Sequence, residues 1–268
     1  MKQEKSFNAE LVNQHIVNWL KNYAEKAGVK GFVVGISGGI DSALTSTLCA
    51  QTGFPTLCVE MPIHQAQNQV SRGEEHIEFL LKKYAHVTRA KTDLTSTYDL
   101  MAAALPKTDQ LAQLNLTLAN TRARLRMTTL YYYAGIHGYL VVGTGNRVED
   151  FGVGFFTKYG DGGVDISPIA DLMKSEVRLL AQFLGVTSSI LKAKPTDGLF
   201  GDDRTDEDQL GANYDELEEA MNAHEQGKTA RDFEGRKLEV FNIYTRLNKA
   251  NQHKMQPIPI CNVRNIIK

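Results

Sequence analysis

The chain has 268 residues, 42% of them hydrophobic, which is long enough to enclose a substantial core. Its 30 Lys+Arg and 31 Asp+Glu leave a net charge of −1, so no overall field favours nucleic acid or an anionic membrane. Composition excludes disordered, collagen-like and disulfide-stapled classes. The polar, mixed-charge start Met1 to Glu10 lacks the apolar run of a secretory signal. No apolar stretch approaches the roughly 20 residues of a spanning helix. Cys49, Cys58 and Cys261 form no CxxC pair, which points to reduced thiols in a cytoplasmic protein.

Leu11, Ile16, Trp19 and Leu20 recur at helical spacing, and Gly28 closes that helix. Phe32 to Ile36 is a short, β-branched apolar run that predicts a buried strand. A glycine turn and a helix over Asp41 to Ala50 follow. Thr56 to Glu60 predicts a second strand, Gln67 to Tyr84 a helix, and His86 to Thr88 a weaker third strand. Residues 109 to 134 read as one long helix carrying Leu111, Leu114, Leu118 and Leu125. Tyr139 to Val142 predicts a fourth strand, ending in Gly143-Thr144-Gly145. Asp171 is a candidate N-cap for a helix with Val177, Leu180 and Leu184, stopped by Gly185. A charge run, Asp202 to Asp208, predicts a solvated loop or a mobile lid around 198–208. Two more helices reach about Asn251, and a tail with Pro257 and Pro259 ends the chain. Strands alternating with helices predict an α/β fold: a doubly wound, mainly parallel sheet flanked by helices in one domain, residues 1–268. There is no internal repeat.

The segment Gly35-Ile36-Ser37-Gly38-Gly39-Ile40-Asp41-Ser42 carries the most chemistry. It lies between a strand and a helix, where ligands bind in open α/β sheets. Adjacent glycines admit a ligand to the backbone, and the free N–H groups of the following helix favour an anion. Asp41 beside a phosphate demands a bridging cation, and Mg²⁺ suits carboxylate and phosphate oxygens. The turn is neither GxxxxGK[ST] nor GxGxxG. Gly227-Lys228-Thr229 is a chance match, because Asn222 replaces the first glycine and no strand precedes it.

SGGxDS after a first strand resembles the pyrophosphate loop of the ATP pyrophosphatases, which cleave ATP between its α and β phosphates. Further segments narrow the resemblance. They are Asn120 to Met127 (NTRARLRM), Gly143 to Asn146 with Glu149 following, and Phe155 to Asp165 (FFTKYGDGGVD). Lys174, Pro195-Thr196-Asp197, Asp206-Glu207 and Tyr214 to Leu217 also match. Together these segments look like ammonia-dependent NAD synthetase, over most of the chain to His253-Lys254.

That resemblance implies ATP, deamido-NAD and ammonia as substrates, Mg²⁺ as the metal, and a homodimer with the deamido-NAD site at the subunit interface. It implies no nucleic-acid or membrane partner. Gly35, Ile36, Ser37, Gly38, Gly39, Ile40, Asp41 and Ser42 would cradle ATP phosphates, with Thr144, Lys174 and Thr196 as further ATP contacts. Asp41 and Glu149 would hold Mg²⁺. Arg124, Lys158, Asp165, His253 and Lys254 would meet deamido-NAD. Lys158 and Lys174 would offset developing charge, and Asp161 would accept a proton from ammonium. The chain is one residue longer than many relatives between Thr144 and Lys158, so Asp150 competes with Glu149, which keeps its distance from Thr144. A single helix before the first strand is too short for an amidase, so free ammonia is the expected donor.

Overall fold

The computed structural model describes residues 7–196, 205–264 and 266–267. In chain order the elements are α1 (Ala9–Ala27), β1 (Gly31–Gly35), α2 (Ile40–Gln51), β2 (Thr56–Glu60), α3 (Gln67–Lys83) and β3 (Val87–Lys91). Then come α4 (Thr95–Ala104), α5 (Leu111–His137), β4 (Tyr139–Val141), α6 (Lys174–Phe183) and α7 (Ser188–Leu191). The last are α8 (Asp206–Leu210), α9 (Tyr214–Glu225) and α10 (Gly235–Met255). The expected 198–208 loop lies largely outside the described residues, and its last residues begin α8.

The four strands are all parallel, in the order β3-β2-β1-β4. The chain builds outward from β1 to β3 and then returns to the other side of β1. That reversal opens a crevice at the carboxyl ends of β1 and β4. Alternate strand residues face opposite layers. Phe32, Val34 and Cys58 pack with α1, α2, α3 and α6, whereas Val33, Leu57, Val59 and Val141 pack against α4 and α5. Helices therefore cover both faces, as a parallel sheet requires. A third apolar cluster, with Tyr214, Leu217, Met221, Phe241 and Tyr244, joins α9 to α10 and to the segment after β4.

Several expectations change. β3 extends to Lys91, beyond Thr88, because parallel pairing with Cys58, Val59 and Glu60 organises a polar stretch that has no apolar pattern of its own. Helix α4 was not anticipated. The Asp171 cap is corrected. Helix α6 begins at Lys174 after Met173, and Glu176 Oε2 accepts from the Met173 N–H at 2.8 Å. The Asp171 side chain is exposed and pairs with Arg147 at 3.3 Å. Gly185 does follow the helix, in the left-handed region at φ 77°.

Candidate active site

The loop after β1 needs glycine at Gly38 on two counts. Its φ is +79°, and a Cβ there would lie 2.4 Å from the Gln69 carbonyl oxygen. The loop is tied to itself. Ser42 Oγ donates to Gly39 O (3.0 Å) and accepts from Ser37 N–H (3.2 Å), and Ser37 Oγ accepts from Gly39 N–H (3.2 Å). Arg72 Nε donates to Gly38 O at 3.2 Å. The backbone is thus fixed while the first turn of α2 presents its N–H groups to the crevice.

A cleft of about 290 Å³ opens there. All eight loop residues from Gly35 to Ser42 line it, as do Thr144, Lys174, Thr196, Glu149 and Asp161. Asp150, Arg126, Arg178 and Lys194 line it as well.

At the mouth of the loop, Lys174 is 2% exposed, and its Nζ lies 2.7 Å from Asp41 Oδ2 and 2.9 Å from Glu149 Oε1. Burial alone would push this ammonium down. The two carboxylates more than offset that, so its pKa lies above the ordinary lysine value. Asn146, fully buried, donates from Nδ2 to Asp41 Oδ1 (3.0 Å) and accepts at Oδ1 from Glu149 N–H (3.2 Å). Tyr214 donates to Glu149 Oε1 at 2.6 Å and lies 3.3 Å from Asp206 Oδ2, with Lys174 Nζ 4.6 Å from its ring centroid. Burial first, then Glu149 and Asp206, drive the phenol pKa upward and keep the hydroxyl a donor. The sequence contained Asn146, Asp206 and Tyr214 in matching motifs, but no local signal gave them a role.

Between Thr144 and Lys158 the chain makes an unusual turn. Val148–Val153 forms a π-helical turn, closed by Phe155 N–H to Glu149 O at 2.9 Å. Glu149 and Asp150 both face the cleft, in different places. Glu149 meets Lys174, whereas Asp150 lies against Gly145, where a Cβ would come 2.2 Å from its Oδ1. Burial, then Glu149, Asp161 and Asp41, push the Asp150 carboxyl up to about 8. Asp161 is exposed at the cleft, and its Oδ1 accepts from Thr157 N–H at 2.9 Å.

None of the residues expected to meet deamido-NAD lines the cleft; Arg124, Lys158, His253 and Lys254 gather beside it. Arg124 Nη2 donates to Lys158 O (3.3 Å), and Lys158 Nζ donates to His253 O (2.5 Å). Lys254 Nζ caps Gly154 O (2.8 Å) and Phe156 O (2.9 Å), stitching the end of α10 to the glycine-aromatic segment. Asp165 stands apart. It accepts from Tyr131 O–H (2.9 Å) and Val141 N–H (2.8 Å), at the edge of β4. Of the three arginines in Asn120 to Met127, Arg126 reaches Met61 O (3.0 Å) across the cleft, and Arg122 packs over Tyr98.

The fold and this crevice define a nucleotide-binding α/β protein, and comparison with known proteins narrows the class. The NAD synthase family model matches residues 12–258, and the chain belongs to that family. An NH₃-dependent NAD⁺ synthetase of Methanosarcina acetivorans is 35% identical over 257 residues, covering 94% of this chain and 97% of the relative. One from Mesoplasma florum is 40% identical over 206 residues, 76% of this chain and 81% of the relative. Among solved structures, an NMN synthetase from Francisella tularensis superposes with a TM-score of 0.82 at 31% identity, covering 96% of this chain and all of that one. An NH₃-dependent NAD synthetase from Campylobacter jejuni, at 23% identity and TM-score 0.77, shares the fold, covering 96% of this chain and 100% of its own.

Proposed function

We propose that this chain is an ammonia-dependent NAD synthetase, a ligase that amidates the nicotinate carboxylate of deamido-NAD at the expense of ATP. The observation that carries the reading is a self-tied phosphate loop whose Asp41 converges with Glu149 on one buried lysine, in a chain that matches the family nearly end to end.

A carboxylate is a poor electrophile. It must first attack the α-phosphorus of ATP and expel pyrophosphate, after which ammonia displaces AMP from the mixed anhydride. Such transfer depends on positioning and charge stabilisation. The loop from Gly35 to Ser42 holds the leaving pyrophosphate through its amides, and Thr144 and Thr196 seat the nucleotide. Lys174 and Lys158 offset the charge that develops. Asp161, which lines the cleft, takes the proton that ammonium must lose before it attacks. Arg124, Lys158, Asp165, His253 and Lys254 engage the deamido-NAD substrate.

Asp41 and Glu149 suit Mg²⁺. They are two carboxylates already drawn onto one cation beside a phosphate loop. Among the described residues there is no cluster of three or more His, Cys, Asp or Glu that would cage a metal without substrate. Mg²⁺ bound by one or two carboxylates plus phosphates matches that donor set. When bound, it supplies charge neutralisation on the phosphates.

A homodimer is favoured by exposed apolar side chains on α4 and α5, among them Leu100, Leu111, Leu116 and Tyr132. Light scattering on the purified chain tests it. No described helix is long and apolar enough to cross a membrane.

The deciding assay supplies Mg²⁺-ATP, deamido-NAD and ammonium and quantifies NAD, AMP and pyrophosphate. Equal yields of the three products, abolished by Asp41→Ala, establish the activity. Nucleotide binding without turnover would refute it. The Francisella tularensis likeness motivates a second arm with nicotinate mononucleotide. A higher kcat/KM there than for deamido-NAD would transfer the assignment to the mononucleotide.

A further inference from the structure

We propose that Tyr214 is a positioning residue for the metal carboxylate Glu149, holding one of its oxygens so that the other faces the phosphates. The inference rests on the function proposed above and assigns a role to a side chain outside the residues named for it.

Four observations support it. Tyr214 Oη and Lys174 Nζ both donate to the same oxygen, Glu149 Oε1, at 2.6 and 2.9 Å. Among the described residues the Oε2 oxygen accepts no comparable bond, and Glu149 lines the cleft. The ring of Tyr214 is fully buried and packs in the cluster between α9 and α10, so its hydroxyl cannot wander. Its backbone opens α9 behind a reciprocal cap, in which Asn213 Oδ1 accepts from Glu216 N–H (2.9 Å) and Glu216 Oε2 accepts from Asn213 N–H (3.0 Å). A carboxylate that must turn one oxygen to a metal is commonly held by an outer hydrogen bond to the other, and such partners govern affinity.

The arrangement parallels the treatment of the other carboxylate. Asn146 holds Asp41 Oδ1 from the loop after β4, as Tyr214 holds Glu149 from α9. Each carboxylate therefore has a neutral donor on one side, and the two share Lys174. The hydroxyl also stands 3.3 Å from Asp206 Oδ2, the farther and weaker of its two carboxylate neighbours.

The test is Tyr214→Phe, which keeps the ring in the core and deletes only the hydroxyl, with a thermal melt to establish that the variant is folded. Mn²⁺ is titrated into wild-type and variant protein in the presence of a non-hydrolysable ATP analogue, and bound metal is read by electron paramagnetic resonance. The expected result is metal binding weaker by about 10- to 100-fold in the variant. The Mg²⁺ concentration for half-maximal turnover should rise in step. A purely structural role would lower the melting temperature and leave both quantities in place. In a Glu149→Gln background, Tyr214→Phe should change Mn²⁺ affinity by less than about twofold, since the partner it positions is gone. Equal Mn²⁺ affinity of wild type and Tyr214→Phe, or an undiminished loss in the Glu149→Gln background, overturns the proposal. Failure of the wild type itself to bind Mn²⁺ with nucleotide overturns the metal reading beneath it as well, so the two failures are distinguishable.

Discussion

Replacing Lys174 by methionine removes the charge that holds Asp41 and Glu149 together while keeping most of the aliphatic stem. Lys174 is 2% exposed and makes ion pairs of 2.7 and 2.9 Å. Breaking a buried pair by deleting one partner typically costs about 3–5 kcal/mol, because the remaining charges are stranded. Here the two carboxylate side chains are 18% and 16% exposed at the cleft, so water relieves part of that penalty. A loss of roughly 2–4 kcal/mol is expected, or about 4–7 °C in melting temperature for a chain of this size. Because the lysine's folded pKa is raised, its contribution is fully present below the unfolded value of about 10.4 and constant through neutrality. The assay is a thermal melt of both proteins with and without millimolar Mg²⁺. The variant leaves two carboxylates facing a space that a divalent cation can fill, so Mg²⁺ should raise its melting temperature more than that of the wild type. NAD formation should be lost even where Mg²⁺ restores stability. A variant that melts within about 1 °C of wild type and gains no extra stability from Mg²⁺ would refute the claim that this lysine neutralises the site.

Three further outcomes are expected. Gly38→Ala forces a side chain into left-handed backbone and against the Gln69 carbonyl; it should cost about 1–3 kcal/mol and weaken ATP binding by at least tenfold, measured by urea unfolding and calorimetry. His76 is buried against Ser46, and burial, only partly offset by the Ala43 carbonyl, lowers its pKa from 6.5 to about 4. The unfolded chain thus binds a proton that the native state refuses, so stability should fall by about 3 kcal/mol as pH drops from 6.5 to 4, and His76→Gln should flatten that slope in urea titrations. Asp161→Asn should lower kcat by about 10²- to 10⁴-fold with little change in the KM for ATP, and full activity at neutral pH would remove Asp161 as proton acceptor.

The π-helical turn at Val148–Val153 shows where sequence reading reaches its edge. The sequence left Glu149 and Asp150 as neighbouring candidates for one role. Which of the two turns toward Lys174, the partner of Asp41, depends on how a wide turn rotates two neighbouring side chains, and in the structure it is Glu149. The helix cap at Asp171 failed for a similar reason. An aspartate before a periodic run is a sound local signal, yet the helix starts three residues later behind a glutamate that reaches back to the Met173 amide.

Sequence by itself determined the alternation of strands and helices, the glycine turn after the first strand and the glycines it requires. These are properties of short windows: side-chain periodicity, chain reversal, and the φ that only glycine adopts cheaply. Only the tertiary structure decided which charges meet. Lys174 lies 133 residues from Asp41, and Asn146 lies 105 residues from it. Their convergence follows from the placement of β4 beside β1 and the docking of α6 and α9 over the crevice, and no local pattern encodes that order. The same physics hid Tyr214, whose hydroxyl has a role only once packing has buried it beside Glu149.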